Sequence, residues 1–184
     1  MKYRVREVVL GFILLFSLEL PSLARLGENE VACAIRYNNG KDVKATAYDR
    51  ISPLLTGANT TNKTYVYQGW RIQIGFMRGI AHRIRYQNEK SSHRISELEL
   101  MAVLNANGGA ASWKEEKTEA QKQDIFTKVL ISSVSGETWV RNDGAKATLD
   151  FLARSLNLDS ATYLKWEASK AAKNKPDSKA LPNF

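Results

Sequence analysis

A stretch of alternating residues limits the fold more than anything else in this chain. Trp70, Ile72, Ile74 and Phe76 fall on one parity, and Ile80, His82, Ile84 and Tyr86 share a parity across Arg78-Gly79. Val66 continues the first set, with Gln68 the exception. A period of two belongs to a half-buried β-strand, so residues 65–86 read as an antiparallel hairpin with one face on a core. A two-residue turn would set Ile74 opposite Arg83, apolar against charged. A three-residue loop, Met77-Arg78-Gly79, pairs Phe76 with Ile80, Ile74 with His82, Ile72 with Ile84 and Trp70 with Tyr86. It also puts Gly79 where a left-handed residue is wanted. The three-residue register is the one expected.

Other segments read less sharply. Residues 26–40 suggest a helix, with Val31, Ala34 and Ile35 at helical spacing and Asn38-Asn39-Gly40 as its stop. The segment Ile51-Ser52-Pro53-Leu54-Leu55 is a candidate for packing, while the Thr/Asn-rich residues 56–64 read as a loop. The sequons at Asn59 and Asn62 would matter only in a eukaryotic host. Ser96-Glu97-Leu98-Glu99 is a capping box. The helix it opens is expected to turn Leu98, Met101, Ala102 and Asn105 inward, flanked by Leu100, Val103 and Leu104, and to end at Gly108-Gly109. Residues 114–124 read as a solvated loop or an exposed helix. Residues 128–134 and 138–141 read as strands, and Asn142-Asp143-Gly144 as a turn into a strand over 145–151. Asp159-Ser160 caps a final helix with Ala161, Leu164, Ala168 and Ala171 on one stripe. No repeat of 20–50 residues is present. The expected class is α+β: antiparallel β-hairpins forming a sheet, with helices packed on one face.

The N-terminus speaks to location. Lys2, Arg4 and Arg6 precede an apolar run over 8–18, and Pro21-Ser22-Leu23-Ala24 follows. Basic, apolar, small is the order of a secretory signal peptide. A spanning helix needs about 20 apolar residues, roughly twice this run. The expected organisation is a signal peptide over 1–24, a single domain over 25–173 and a flexible tail over 174–184. The product would be exported to the periplasm or beyond, with no transmembrane helix after cleavage. Cleavage leaves 24 basic and 17 acidic residues, a formal charge of +7. That balance favours an anionic partner, an envelope component or an acidic protein. Export and a modest density of basic residues count against nucleic acid. Nothing in the sequence sets an oligomeric state.

Reactive groups are few. Cys33 is the only cysteine, which excludes an internal disulfide and a Cys-based metal site. Its neighbours Val31, Ala34 and Ile35 suit a small buried apolar group. His82 is expected half-buried, and His93 exposed in a polar loop. No P-loop, dinucleotide fingerprint or nucleophile elbow is present, so neither cofactor nor metal is expected. Asp143 has a sufficient cause in turn chemistry. Trp113 and Trp139 suit core packing, with stacking on a sugar ring as the alternative. The candidate binding residues are Arg71, Gln73, Arg83 and Arg85 on the hairpin's other face. The expected register puts Arg71 opposite Arg85 and Gln73 opposite Arg83. Like charges so placed are destabilising, and the relief would come from an external anion or from internal carboxylates. The functional expectation is a non-catalytic envelope binding or interaction module with a basic face. The alternative is a small secreted hydrolase of an envelope polymer, with His82 or His93 and Asp143 as its acid–base pair.

Three segments carry a resemblance: residues 65–79 (YVYQGWRIQIGFMRG), residues 104–113 (LNANGGAASW) and residues 139–144 (WVRNDG). In this order they resemble a group of short, secreted, uncharacterised bacterial proteins. These open with a helix ending in an Arg-Tyr-Gly-like step, here Arg36-Tyr37-Asn38-Asn39-Gly40 with two additional asparagines. The resemblance implies a bacterial envelope location and carries over no activity and no catalytic residue.

Overall fold

The alternating stretch makes three strands rather than two: β1 (Thr60–Tyr67), β2 (Trp70–Met77) and β3 (Ile80–Asn88). The computed structural model describes residues 25–37, 53–90, 94–109, 111–116 and 136–173. The signal segment, the strand expected over 128–134, His93 and the tail over 174–184 lie outside the described residues. Gln68 and Gly69, both at positive φ (49° and 79°), make a two-residue turn between β1 and β2. The turn reverses the parity, so Tyr65, not Val66, lies opposite the buried Ile72. Residues 60–64, expected as loop, are strand, since β-branched threonines suit a pleated surface.

The β2–β3 register corrects the expected one. The turn has two residues, Arg78 (φ 53°) and Gly79 (φ 76°), which sets Met77 opposite Ile80 and Phe76 opposite Ala81. One residue, His82, is then inserted, and Gly75 opposes Arg83, Ile74 opposes Ile84 and Ile72 opposes Tyr86. This β-bulge restores the parity that the turn alone would have broken. The chain thereby keeps both the favoured tight turn and one apolar face.

The remaining elements are α1 (Glu30–Arg36), α2 (Glu97–Gly108), β4 (Trp113–Glu115), β5 (Thr138–Arg141), β6 (Lys146–Asp150), β7 (Ser155–Asp159) and α3 (Ala161–Lys173). The described strands form one seven-stranded sheet in the order β1-β2-β3-β7-β6-β5-β4. All its pairs are antiparallel, so the class is α+β. Two meanders, each preceded by a helix, join through β3 and β7. The doubling is architectural and has no counterpart as a sequence repeat.

One row of side chains crosses all seven strands: Lys63, Ile74, Ile84, Leu158, Ala147, Trp139 and Glu115. Ile74, Ile84, Leu158 and Ala147 are buried, and they form the spine of the core with Ile72, Phe76, Tyr86 and Leu156. Trimming Ile74 to alanine would cost about 3 kcal/mol in a site of this kind.

The inner faces of α1 and α2 complete that core, but not through the residues expected. Cys33 in α1 and Tyr37 at its C-terminal cap are buried, while Val31 and Ile35 are exposed. In α2 both capping-box bonds are made, with Ser96 N–H donating to Glu99 Oε2 at 2.8 Å and Glu99 N–H to Ser96 Oγ at 3.4 Å. Yet Leu100, Val103, Leu104 and Asn107 are buried, whereas Leu98 is 85% exposed and Met101 also exposed. Apolar residues surround this helix, so its period does not choose a face. Asn107 fixes the choice: its Oδ1 accepts from Leu26 N–H (3.0 Å) and its Nδ2 donates to Val103 O (3.0 Å) and Tyr86 Oη (3.5 Å). In α3, Ser160 Oγ caps Tyr163 N–H at 3.1 Å, and Tyr163 is the buried residue rather than the alanine stripe. Tyr163 meets Arg83, which lies on the sheet face opposite the core.

Candidate functional site

The second face of the sheet holds the arginines expected to bind a partner. In the observed register Arg71 opposes Gln87, Arg85 opposes Gln73, and Arg83 opposes Gly75. The expected juxtapositions of Arg71 with Arg85 and of Gln73 with Arg83 do not occur, because the His82 bulge displaces them. On its other side β3 meets β7, where Arg83 faces Asp159 and Arg85 faces Asn157. Arg83 Nε donates to Asp159 Oδ1 at 2.6 Å, and its Nη1 donates to Tyr163 Oη at 2.9 Å and to Leu54 O at 3.2 Å. Its guanidinium also lies over the Tyr163 ring, 4.6 Å from the centroid. Tyr163 Oη in turn donates to Glu167 Oε1 at 2.7 Å. Arg85 donates to Asn157 Oδ1 at 2.9 Å and to Gln73 Oε1 at 3.4 Å, and Gln73 is buried.

These bonds make two polar clusters side by side along the β3–β7 seam. Burial pushes the Asp159 carboxyl above its ordinary value, and Arg83 pulls it part of the way back. Such a pair contributes more to fixing β3 against β7 than to net stability. Leu54 and Leu55 cover the same face beside Gly75, where a Cβ would lie 2.6 Å from Leu55 Cγ. A reciprocal pair of bonds pins them, Leu55 N–H to Asn62 Oδ1 (2.9 Å) and Asn62 Nδ2 to Leu55 O (2.8 Å).

The described residues considered for catalysis, His82, Asp143 and Cys33, are also occupied. The bulge points His82 at the start of α3, where its Nδ1 lies 2.7 Å from Ser160 Oγ, and burial lowers its pKa. Ser160 is the helix cap, so this His–Ser contact is part of the β3–α3 junction. Asp143 is held by Arg141 through two bonds, 2.9 and 2.7 Å, and accepts from Ala145 N–H at 3.1 Å. Those bonds, Arg141 first, lower its carboxyl to about 2, too acidic for proton transfer near neutral pH. Cys33 is fully buried beside Glu28, its Sγ 3.5 Å from Glu28 Oε2. Burial and then Glu28 push the thiol up to about 12, which leaves no thiolate to act as nucleophile. Among the described residues no three His, Cys, Asp or Glu side chains converge where a metal ion could sit. No described helix is long and apolar enough to cross a membrane.

The open site is on the core face, at the β4–β5 end of the sheet. Trp113 and Glu115 on β4 share a face with Trp139 on β5, Glu115 lying opposite Trp139. Glu137 precedes Trp139 by two residues on that face, and its backbone continues the ladder, Leu149 N–H donating to Glu137 O at 2.8 Å. Glu115 and Glu137 are thus diagonal neighbours, about 7 Å apart at their Cβ atoms in such a pairing. α2 forms the opposite wall. Trp113 is tied to it by Nε1–H donating to Leu104 O at 2.8 Å, and Arg141 lies over the Trp113 ring, 5.4 Å from its centroid.

Two adjoining clefts result, of about 450 and 550 Å³, with Met101, Glu115 and Trp139 shared between them. The second is also lined by Glu97, Glu137 and Phe151. Burial raises the Glu137 carboxyl, and the charges of Glu115 and then Glu97 raise it further. Both tryptophans pack against the core yet remain partly exposed. Sequence reading had singled out the rings but not the three glutamates. Residues 97, 115 and 137 carry no common spacing, and only the sheet register and α2 bring them together.

No protein-family model, curated protein or solved structure matches the chain.

Proposed function

We propose that this chain is an exported binding module of the bacterial envelope that seats its ligand in the cleft between α2 and the β4–β5 end of the sheet. The carrying observation is the contrast in commitment. Arg83 and Arg85 are used in internal bonds, whereas the cleft presents a tryptophan face and glutamates to solvent. Ligand sites are commonly concave, of about 300–1,000 Å³, with apolar walls and a few polar groups. The signal-peptide pattern over 1–24 and the resemblance to secreted bacterial proteins support the location. N-terminal sequencing of the exported protein should begin at Arg25, and a start at Met1 would remove the export part of the reading. Ligand binding should change the tryptophan fluorescence, and Trp139→Phe should weaken binding with the fold intact. Binding unaltered by that change would place the ligand elsewhere.

A second reading, hydrolysis of an envelope polymer, has one observation in its favour. Two neighbouring carboxylates, one raised by burial, resemble the acid and partner of a glycoside hydrolase. Turnover of a polysaccharide, abolished by Glu137→Gln, would select this reading over binding alone.

A further inference from the structure

We propose that the cleft takes an organic cation, an ammonium group carried on a sugar-sized body. This rests on the cleft being the ligand seat and adds the sign of the ligand's charge. Carboxylates alone would not define a site, because water and salt satisfy most of them. Here they border a ligand-sized volume walled by Trp139, Phe151 and Met101. An aromatic face attracts a cation through its quadrupole, and a desolvated cation gains most.

The sign follows from the lining. Bases outnumber acids by 27 to 19 in the whole chain. The described residues lining the two clefts include three glutamates and no Lys, Arg or His. Arg141, which lies over the Trp113 ring, is committed to Asp143 and to Asn107 O. No ion pair or hydrogen bond to a described residue neutralises Glu97, Glu115 or Glu137. A neutral ligand would leave the repulsion felt by Glu137 in place, and an anion would add to it. A cation removes it, and the aromatic wall accepts the body that carries the charge.

The test uses the mature chain and three probes: a glucosamine tetramer, its N-acetylated neutral twin, and spermidine. Calorimetry should show the glucosamine tetramer binding about tenfold or more tighter than the neutral twin, the size of one well-placed charge contact. Glu137→Gln and Glu115→Gln, which keep the shape, should each weaken it severalfold. Spermidine binding with the same dependence on Glu137 would support the cation and identify an aliphatic amine as a sufficient source. Equal binding of the neutral twin, sensitive to Trp139→Phe, would overturn the cation while leaving the cleft as the seat. Failure of all three probes to bind would overturn the proposal. Binding indifferent to both glutamates and to Trp139 would overturn it together with the cleft reading.

Discussion

The two faces of the sheet treat charge in opposite ways. Around Arg83 the guanidinium meets a carboxylate, a phenol and a backbone carbonyl. Across the sheet, at the open end of the core, Glu137 meets other carboxylates and a tryptophan. The first arrangement resolves its own electrostatics and so explains itself as structure. The second leaves a cost on Glu137 that no described residue resolves. Arg83 and Arg85, conspicuous as a basic pair in the sequence, are half-buried and spent on internal bonds.

Four substitutions probe that division. Asp159→Ala should have the largest effect, about 3 kcal/mol of lost stability, because it leaves Arg83 half-buried without its carboxylate. A urea midpoint measures it, and ligand affinity at the cleft should not move. A variant that kept its stability but lost cleft binding would break the comparison. Gly75→Ala should come next, at about 1–2 kcal/mol, since the added Cβ overlaps Leu55 and overpacks that face.

Glu137→Gln should act in the other direction. A carboxyl raised in the folded state disfavours folding once it ionises, so its removal is stabilising above the raised pKa. The gain should be about 0.3 kcal/mol at neutral pH after solvent screening, fading as the pH falls through the carboxylate range. A loss of stability at neutral pH would mean that Glu137 is paired after all. Asp143→Asn should be smallest, below about 0.3 kcal/mol, because its carboxylate is half exposed. Its sign is the reverse. The depressed carboxyl contributes above the ordinary value of 3.8, and the contribution disappears as the pH falls toward about 2. Thermal melts between pH 2 and 7 separate the two signs.

Much of the local structure was legible. The alternation over 70–86 correctly grouped Ile72, Ile74, Phe76, Ile84 and Tyr86 on one buried face. The capping box at Ser96 and the turn at Asn142-Asp143-Gly144 formed as their chemistry requires. Cys33 is buried, as its neighbours suggested. The register was not legible, because parity fixes a face and leaves shifts of two residues open. A one-residue bulge then allowed a turn that simple alternation disfavours. The inward faces of α1 and α2 were misjudged because apolar residues lie on both sides of each. Arg83 and Asp159 are 76 residues apart, and no local pattern announces such a pair.

The seam between β3 and β7 has a consequence for assembly. As the chain is made, β3 is complete at Asn88, but the strand that covers its edge ends at Asp159. In that interval an unfinished chain carries a bare strand edge, the kind of surface that recruits another copy. Arg83 and Arg85 stand on that same strand. Antiparallel pairing of two unfinished copies with Arg83 opposite Arg85 would bring guanidinium against guanidinium. Until Asp159 and Asn157 arrive, the two arginines act as wardens of an edge that has only one correct neighbour.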